Sequence, residues 1–266
     1  MSDVLQITRE GGIAEVRLNR PEKHNALNME LFGALLQAGE ELAEDRSLRA
    51  VVLAGNGPSF CSGLDAPAVM GDPKAFQQCF EREEGAEANW VQKSAWVWRR
   101  LPVPVIAAVH GNCFGGGIQL ALAADLRLGA ADARLSVMEI RWGLIPDVTG
   151  TATLRELVRA DVARELCYTG RIVEAAEAAS LGLLTRIEAD PLEAARAMAR
   201  EIAGKNPDAI RLGKRLLDAN WQEPDYGVVL RREQELQGAL IGKPNQMEAV
   251  RAAMTKTPPQ FKDPVV

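Results

Sequence analysis

Two glycine-marked loops, each preceded by a short run of apolar residues, constrain this chain more than anything else in it. Ser59-Phe60-Cys61-Ser62-Gly63-Leu64-Asp65 comes after Ala50-Val51-Val52-Leu53-Ala54, and Gly111-Asn112-Cys113-Phe114-Gly115-Gly116-Gly117 comes one residue after the run 103–109. Runs that are apolar at every position, rather than at alternate ones, fit strands buried on both faces. Glycine beyond such a strand permits positive φ and lets a ligand approach main-chain N–H groups closely. The short apolar stretch 118–124 reads as a helix whose positive dipole end faces the second loop. Two N–H donors aimed at one oxygen stabilise developing negative charge, by about 3 to 4 kcal/mol per donor. Taken alone, three glycines before a helix suit a tight packing turn equally well.

The rest of the chain alternates strands and helices. Residues 4–8 and 13–18 read as a hairpin around Gly11-Gly12, 29–43 as a helix, and the stretch up to Leu101 as a long helical region. Residues 125–129 and 183–187 read as further strands, and Asp190-Pro191 opens a helix. Asn206-Pro207 supplies an N-cap and a first-turn proline, and marks a boundary between a core, 1–205, and a helical region, 206–266. In that region Ile210, Gly213, Leu217 and Trp221 share one helix face. Val229, Leu236 and Leu240 line a second helix, and Met247, Val250 and Met254 a third. Three such helices make a thin core alone, so they are expected to pack on another subunit. The proline-rich tail 257–266 is expected to be irregular.

Several classes of function drop out. The 31 basic and 36 acidic residues form no block of like charge that could follow a phosphate backbone, so nucleic acid is not an expected partner. No apolar stretch approaches the roughly 18 residues needed to span a bilayer. Two histidines, His24 and His110, and four cysteines without metal-like spacing leave no metal site to expect. The N-terminus MSDVLQITRE has no apolar signal segment, so a reducing cytoplasm is the expected location. Nucleophile-elbow, phosphate-loop, zinc-helix and dinucleotide-turn motifs are all missing. Carboxylates and backbone groups are left to do the chemistry.

Four segments in order resemble the crotonase superfamily, the enoyl-CoA hydratase/isomerase family, across nearly the whole chain. They are Asn19-Arg20-Pro21-Glu22-Lys23-His24-Asn25-Ala26-Leu27, residues 60–65, Val105-Ile106-Ala107-Ala108-Val109-His110-Gly111 leading into the glycines, and Glu139-Ile140 followed by Gly143-Leu144-Ile145-Pro146. The resemblance implies an α/β spiral of ββα repeats with a C-terminal helical trimerisation region, assembled as a trimer or a dimer of trimers. It implies a coenzyme A thioester as substrate, with no cofactor besides. By position, the oxyanion donors are the backbone N–H groups of Leu64 and Gly116. Lys23, Ala26, Leu27, Ser62 and Asp65 match positions that contact the adenine and phosphate end of coenzyme A.

The acid–base positions set the expected reaction. Hydratases of this family use two glutamates; here the first position is Gln119, whose amide can orient water or substrate but cannot exchange a proton near neutral pH. The second is Glu139, in the apolar setting Val137-Met138-Glu139-Ile140, which should raise its pKa. Asp147 follows eight positions later, as in some isomerases that the chain resembles, though an Asp there also suits a helix N-cap. Glu139 and Asp147 as carboxylates, with Gln119 neutral between them, suit moving a double bond without adding water. Water addition with Asp147 in the lost glutamate's role is the alternative, and acyl-CoA binding without turnover is an alternative of another class. The aromatics Phe76, Phe80, Trp90, Trp96 and Trp98 are expected mostly in the core, Trp142 is a candidate pocket wall, and His110, Cys61 and Cys113 have no expected catalytic part.

Overall fold

Residues 3–265 are described by a computed structural model. Strands β1 (Leu5–Glu10) and β2 (Ile13–Leu18) form the expected hairpin, pairing Leu5 with Leu18 and Glu10 with Ile13. Helix α1 (Met29–Ala43) starts where Asn28 accepts the Leu31 N–H, and it leads to β3 (Ala50–Gly55). The expected long helical stretch is instead three pieces: α2 (Ala66–Met70), α3 (Pro73–Gln78) and α4 (Trp90–Arg100). Gly71 ends the first, Pro73 starts the second, and Gly85 turns the chain at positive φ before Asn89 and Gln92 form a capping box. Those breakers override the apolar spacing.

Next come β4 (Val105–Val109), β5 (Asn112–Phe114), α5 (Gly116–Leu122), β6 (Leu126–Gly129) and β7 (Arg134–Ser136). Beyond them lie α6 (Gly150–Leu157), α7 (Ala160–Thr169), β8 (Val173–Glu174), α8 (Ala175–Leu181), β9 (Arg186–Ile187) and α9 (Pro191–Ala203). The strand expected over 183–187 shrinks to two residues, because Leu183 and Leu184 pack into the core within the turn that follows α8. Strands β5, β7 and β8 are too short to carry a readable period. Helices α10 (Pro207–Asn220), α11 (Tyr226–Leu240) and α12 (Pro244–Thr255) close the chain. The described part of the irregular tail is pinned by Arg49 on Asp263 at 2.7 Å and by the Val265 N–H on Asp208 at 2.7 Å; Val266 lies outside the described residues.

The larger sheet runs β1-β2-β3-β4-β6-β9, parallel beyond the first hairpin, and a smaller one runs β5-β7-β8. Alternation sorts the central strands between two cores. Val51, Leu53, Val105, Ala107 and Val109 join Leu31 and Leu35 of α1 and Trp98 of α4, whereas Val52, Ala54, Ile106 and Ala108 pack on Ala195 and Ala199 of α9. Burial on both faces explains why β3 and β4 are apolar at every position. Because β3 and β4 are parallel and in register from Val51 with Val105 to Ala54 with Ala108, the loops after them leave the same edge of the sheet.

Candidate active site

The two glycine-marked loops meet at that edge. Cys61 bridges to Cys113 and Leu27 to Leu64, and the Phe114 N–H donates to the Cys61 carbonyl at 3.0 Å. Gly117 is pressed so closely on the first loop that a β-carbon there would sit 2.5 Å from the Cys61 carbonyl oxygen and 2.8 Å from its Sγ. Gly115 holds φ +52° and ψ −124°, a conformation closed to residues with a β-carbon. A β-carbon on it would lie 3.8 Å from the Gly63 Cα and 3.5 Å from Glu139 Oε1, so both loops and the carboxylate share one small volume.

Within this edge Leu64 and Gly116 stand out. Neighbouring amides are engaged: Ser62 donates to His24, Asp65 to Leu27 and Gly115 to Ser136. The Leu64 amide donates to no main-chain oxygen among the described residues. Gly116 is the first residue of α5, where an N–H has no intrahelical acceptor. The Leu64 side chain is exposed, and Leu27 Cδ1 packs where a Gly116 side chain would stand.

Glu139 opens a 3₁₀ turn, Glu139–Trp142, that follows β7, and its side chain is buried. Its Oε1 accepts a hydrogen bond from Gln119 Nε2 at 2.5 Å, while Oε2 has no partner among the described residues. Burial pushes the carboxyl above its ordinary pKa, the Gln119 hydrogen bond pulls it partly back, and the charge of Asp147 adds to the rise. Gln119, on α5 and 1% exposed, is also engaged at its other end: Oε1 accepts the Val148 and Gly150 N–H groups, each at 2.8 Å. Both ends of the amide that was expected to meet water or substrate are therefore tied to the protein.

Asp147 sits just before that pinned segment, with its residue exposed and its carboxyl also raised by partial desolvation. It does not cap α6. The N-cap of that helix is Thr149, in the left-handed region at φ +73°, with a buried Oγ1 that has no partner among the described residues. The charge of Asp147 adds to the rise of the Glu139 carboxyl and of the Cys79 thiol, behind burial in each case.

The expected coenzyme A positions form one cluster. Ser62 Oγ donates to the Lys23 carbonyl at 3.3 Å, and the Leu27 N–H donates to Gly63 at 2.8 Å. Arg20, which the sequence did not single out, ties Asp65 by a 3.0 Å ion pair and also donates to the Ala26 carbonyl. Only its place in the first motif could have flagged it. The Leu27 side chain is buried, so that residue can offer a ligand only its backbone, whereas Lys23 is exposed.

The remaining candidates divide. Trp98 is fully buried, as expected, but Phe76 and Phe80 are 41% and 56% exposed and meet edge to face at 5.2 Å. The breaks around α3 place both beyond the core. Trp142 is 67% exposed beside Glu139. His110 Nε2 pairs with the Gly57 carbonyl at 2.9 Å. Cys61 and Cys113 are fully buried, with the first thiol pushed up to about 12 and the second raised well above its ordinary value, in both cases chiefly by desolvation, so neither forms a thiolate near neutral pH. No helix among the described residues is long and apolar enough to cross a membrane.

Comparison with known proteins places this geometry. A family profile described as Enoyl-CoA hydratase/isomerase matches residues 8–264. The human mitochondrial enoyl-CoA hydratase domain-containing protein 2 is 34% identical, over 94% of this chain and 85% of its own. The human mitochondrial Delta(3,5)-Delta(2,4)-dienoyl-CoA isomerase is 35% identical over 76% of this chain and 64% of its own. The crystal structure of an enoyl-CoA hydratase from Bacillus anthracis superimposes with a TM-score of 0.90 at 29% identity, covering 98% of this chain and 99% of that one.

Proposed function

The chain belongs to the enoyl-CoA hydratase/isomerase family and is an enzyme of it, and from that premise we propose that it moves a double bond along the acyl chain of an enoyl-CoA thioester. The thioester oxygen sits between the Leu64 and Gly116 amides, which stabilise the enolate as it forms. Glu139 removes a proton from one carbon and Asp147 assists at the far carbon. Coenzyme A enters as part of the substrate, held near Lys23, Ser62, Asp65 and the backbone of Ala26 and Leu27. Carboxylates and backbone dipoles suffice for this proton shuttle, so the reaction calls on no further cofactor.

One observation carries the choice of isomerisation: Gln119 is neutral and bonded at both ends within the protein. A water added to the substrate needs a second acid–base group across from Glu139, and that position holds an amide which neither gains nor loses a proton. The relative named as a dienoyl-CoA isomerase points the same way. The second reading, water addition, draws on Asp147, whose charge reaches Glu139, and on relatives named as hydratases. Incubation with crotonyl-CoA, a 3-enoyl-CoA and a 3,5-dienoyl-CoA, with product identification, separates the two. Shifted double bonds are expected. A 3-hydroxyacyl-CoA as the main product overturns the isomerase reading, and tight binding without α-proton exchange in deuterated water overturns both.

We also propose that the chain works as a trimer or a dimer of trimers, in a reducing compartment such as the cytoplasm. The support for assembly is the exposed apolar surface of the last three helices, with Leu217, Trp221, Tyr226, Leu230 and Met254 each more than 60% exposed. The four free cysteines suit a reducing compartment.

A further inference from the structure

We propose that Gln119 is a positioning residue that locks Glu139 in one orientation, so that a single oxygen, Oε2, carries every proton this glutamate moves. The inference rests on the reading of Glu139 as the proton carrier and adds which atom does the work and what fixes it.

An amide side chain has two unlike ends, an oxygen that only accepts and a nitrogen that only donates. In Gln119 the oxygen receives two backbone donors, the Val148 and Gly150 N–H groups. Flipping the amide would set its NH₂ against both of them, three donors facing one another in a buried site, at the full penalty of unsatisfied groups. The nitrogen therefore always faces Glu139, and it can only donate to Oε1. In the protonated acid the better acceptor is the carbonyl oxygen, so the carbonyl stays at Oε1 and the hydroxyl forms at Oε2. That oxygen is the one left without a hydrogen-bond partner among the described residues.

The same lock spans both carboxylates. Val148 follows Asp147 directly, so the amide that fixes Glu139 also fixes the segment carrying Asp147, with Thr149 held at positive φ between the two anchored N–H groups. Gly150 makes room for it, since a β-carbon there would lie 2.6 Å from Gln119 Oε1. The titratable groups coupled to Glu139 are Asp147, before α6, and Cys167 of α7, whose thiol is raised by burial and by the glutamate's charge. Gln119 itself, from α5, is neutral.

Two variants test the lock. Q119E keeps an acceptor for the Val148 and Gly150 amides but turns an oxygen toward Glu139, so the two carboxyls must share a proton. Q119M removes every polar contact at once. The readouts are the ¹³C titration of Glu139 in the ligand-free protein, assigned with E139Q, the infrared carbonyl stretch of protonated Glu139, and the pH profile of kcat/KM. In Q119E the Glu139 titration and the acidic limb of kcat/KM are expected to move up by about one pH unit or more, with the circular dichroism unchanged. In the wild type the protonated-acid stretch is expected at a hydrogen-bonded frequency, moving up in Q119M. A wild-type stretch already at the unbonded frequency would place the proton on Oε1 and overturn the proposal, as would a Q119E titration that coincides with the wild type. Shifts as expected in a protein inert toward enoyl-CoA thioesters sustain the lock and overturn only the proposed reaction.

Discussion

The wall around Glu139 and the C-terminal helices solve opposite problems. At the wall the chain finishes its own packing: glycines let the two loops touch, Gln119 satisfies two backbone amides and one carboxylate oxygen, and Glu139 is only 9% exposed. Along α11 no residue is buried, and Trp221, at the C-cap of α10, is 63% exposed. An apolar site with one unpartnered acidic oxygen has its environment fixed before any substrate arrives. An amphipathic helix with an open apolar face is completed only by something outside the chain.

That contrast can be broken or sharpened by measurement. The largest effect is expected from E139Q, which should lower turnover of enoyl-CoA thioesters by about 10²- to 10⁴-fold with little change in KM. Steady-state kinetics check it, and a loss below tenfold would move the proton chemistry elsewhere. The same variant should be more stable than the wild type at pH 8, on the order of 1 kcal/mol, in denaturant titrations. Burial raises the folded pKa of Glu139, so between its unfolded and folded values the folded chain holds the extra proton, and stability falls as pH rises. Removing the carboxyl removes that loss. In catalysis Glu139 must first be ionised to act as a base, so wild-type kcat/KM should rise with pH through an apparent pKa above the ordinary carboxylate range.

Next in size is G117A. The added methyl meets the backbone carbonyl of Cys61 at 2.5 Å, and backbone cannot step aside as a side chain can, so about 2 to 3 kcal/mol of stability should be lost in thermal or denaturant unfolding. A neutral result would mean that the two loops are free to separate. D147N should reduce isomerisation by about tenfold, less than E139Q, because Asp147 is exposed where Glu139 is buried. Equal losses in the two variants would make them an acid–base pair of equal standing. The smallest effect on the single chain is expected from L217D combined with W221D. Both positions are more than 60% exposed, so the circular dichroism should be unchanged, while sedimentation should show loss of the proposed trimer. An intact trimer would place the assembly surface elsewhere.

The strands that set the site were legible because burial on two faces writes itself into a run as unbroken apolar composition, as in 50–55 and 105–109. Helix α1 was legible through its helical pattern over 29–43, whereas its Asn28 cap emerged only in the structure. Residues 66–89 were misread because aromatic spacing says nothing about whether a partner surface exists, and Gly71, Pro73 and Gly85 break the stretch before it can pack. The types and positions of Glu139, Asp147 and Gln119 could be read from motif order. Arg20 was passed over because its partners Ala26 and Asp65 lie 6 and 45 residues away, a separation that leaves no local pattern.

By itself the sequence determined the alternation of buried strands and helices and the placing of glycine where two backbones must touch, while the amide in place of an expected carboxylate showed only through the family resemblance. The first two are properties of single residues and their near neighbours, and composition and spacing record them directly. Only the tertiary structure decided that Gln119 is engaged at both ends, that Oε2 is the oxygen left without a partner, and that Asp147 stands in the open rather than capping α6. The engagement of Gln119 depends on which donor meets which acceptor across 20 to 31 residues of chain, and hydrogen-bond direction is settled by geometry rather than by residue type.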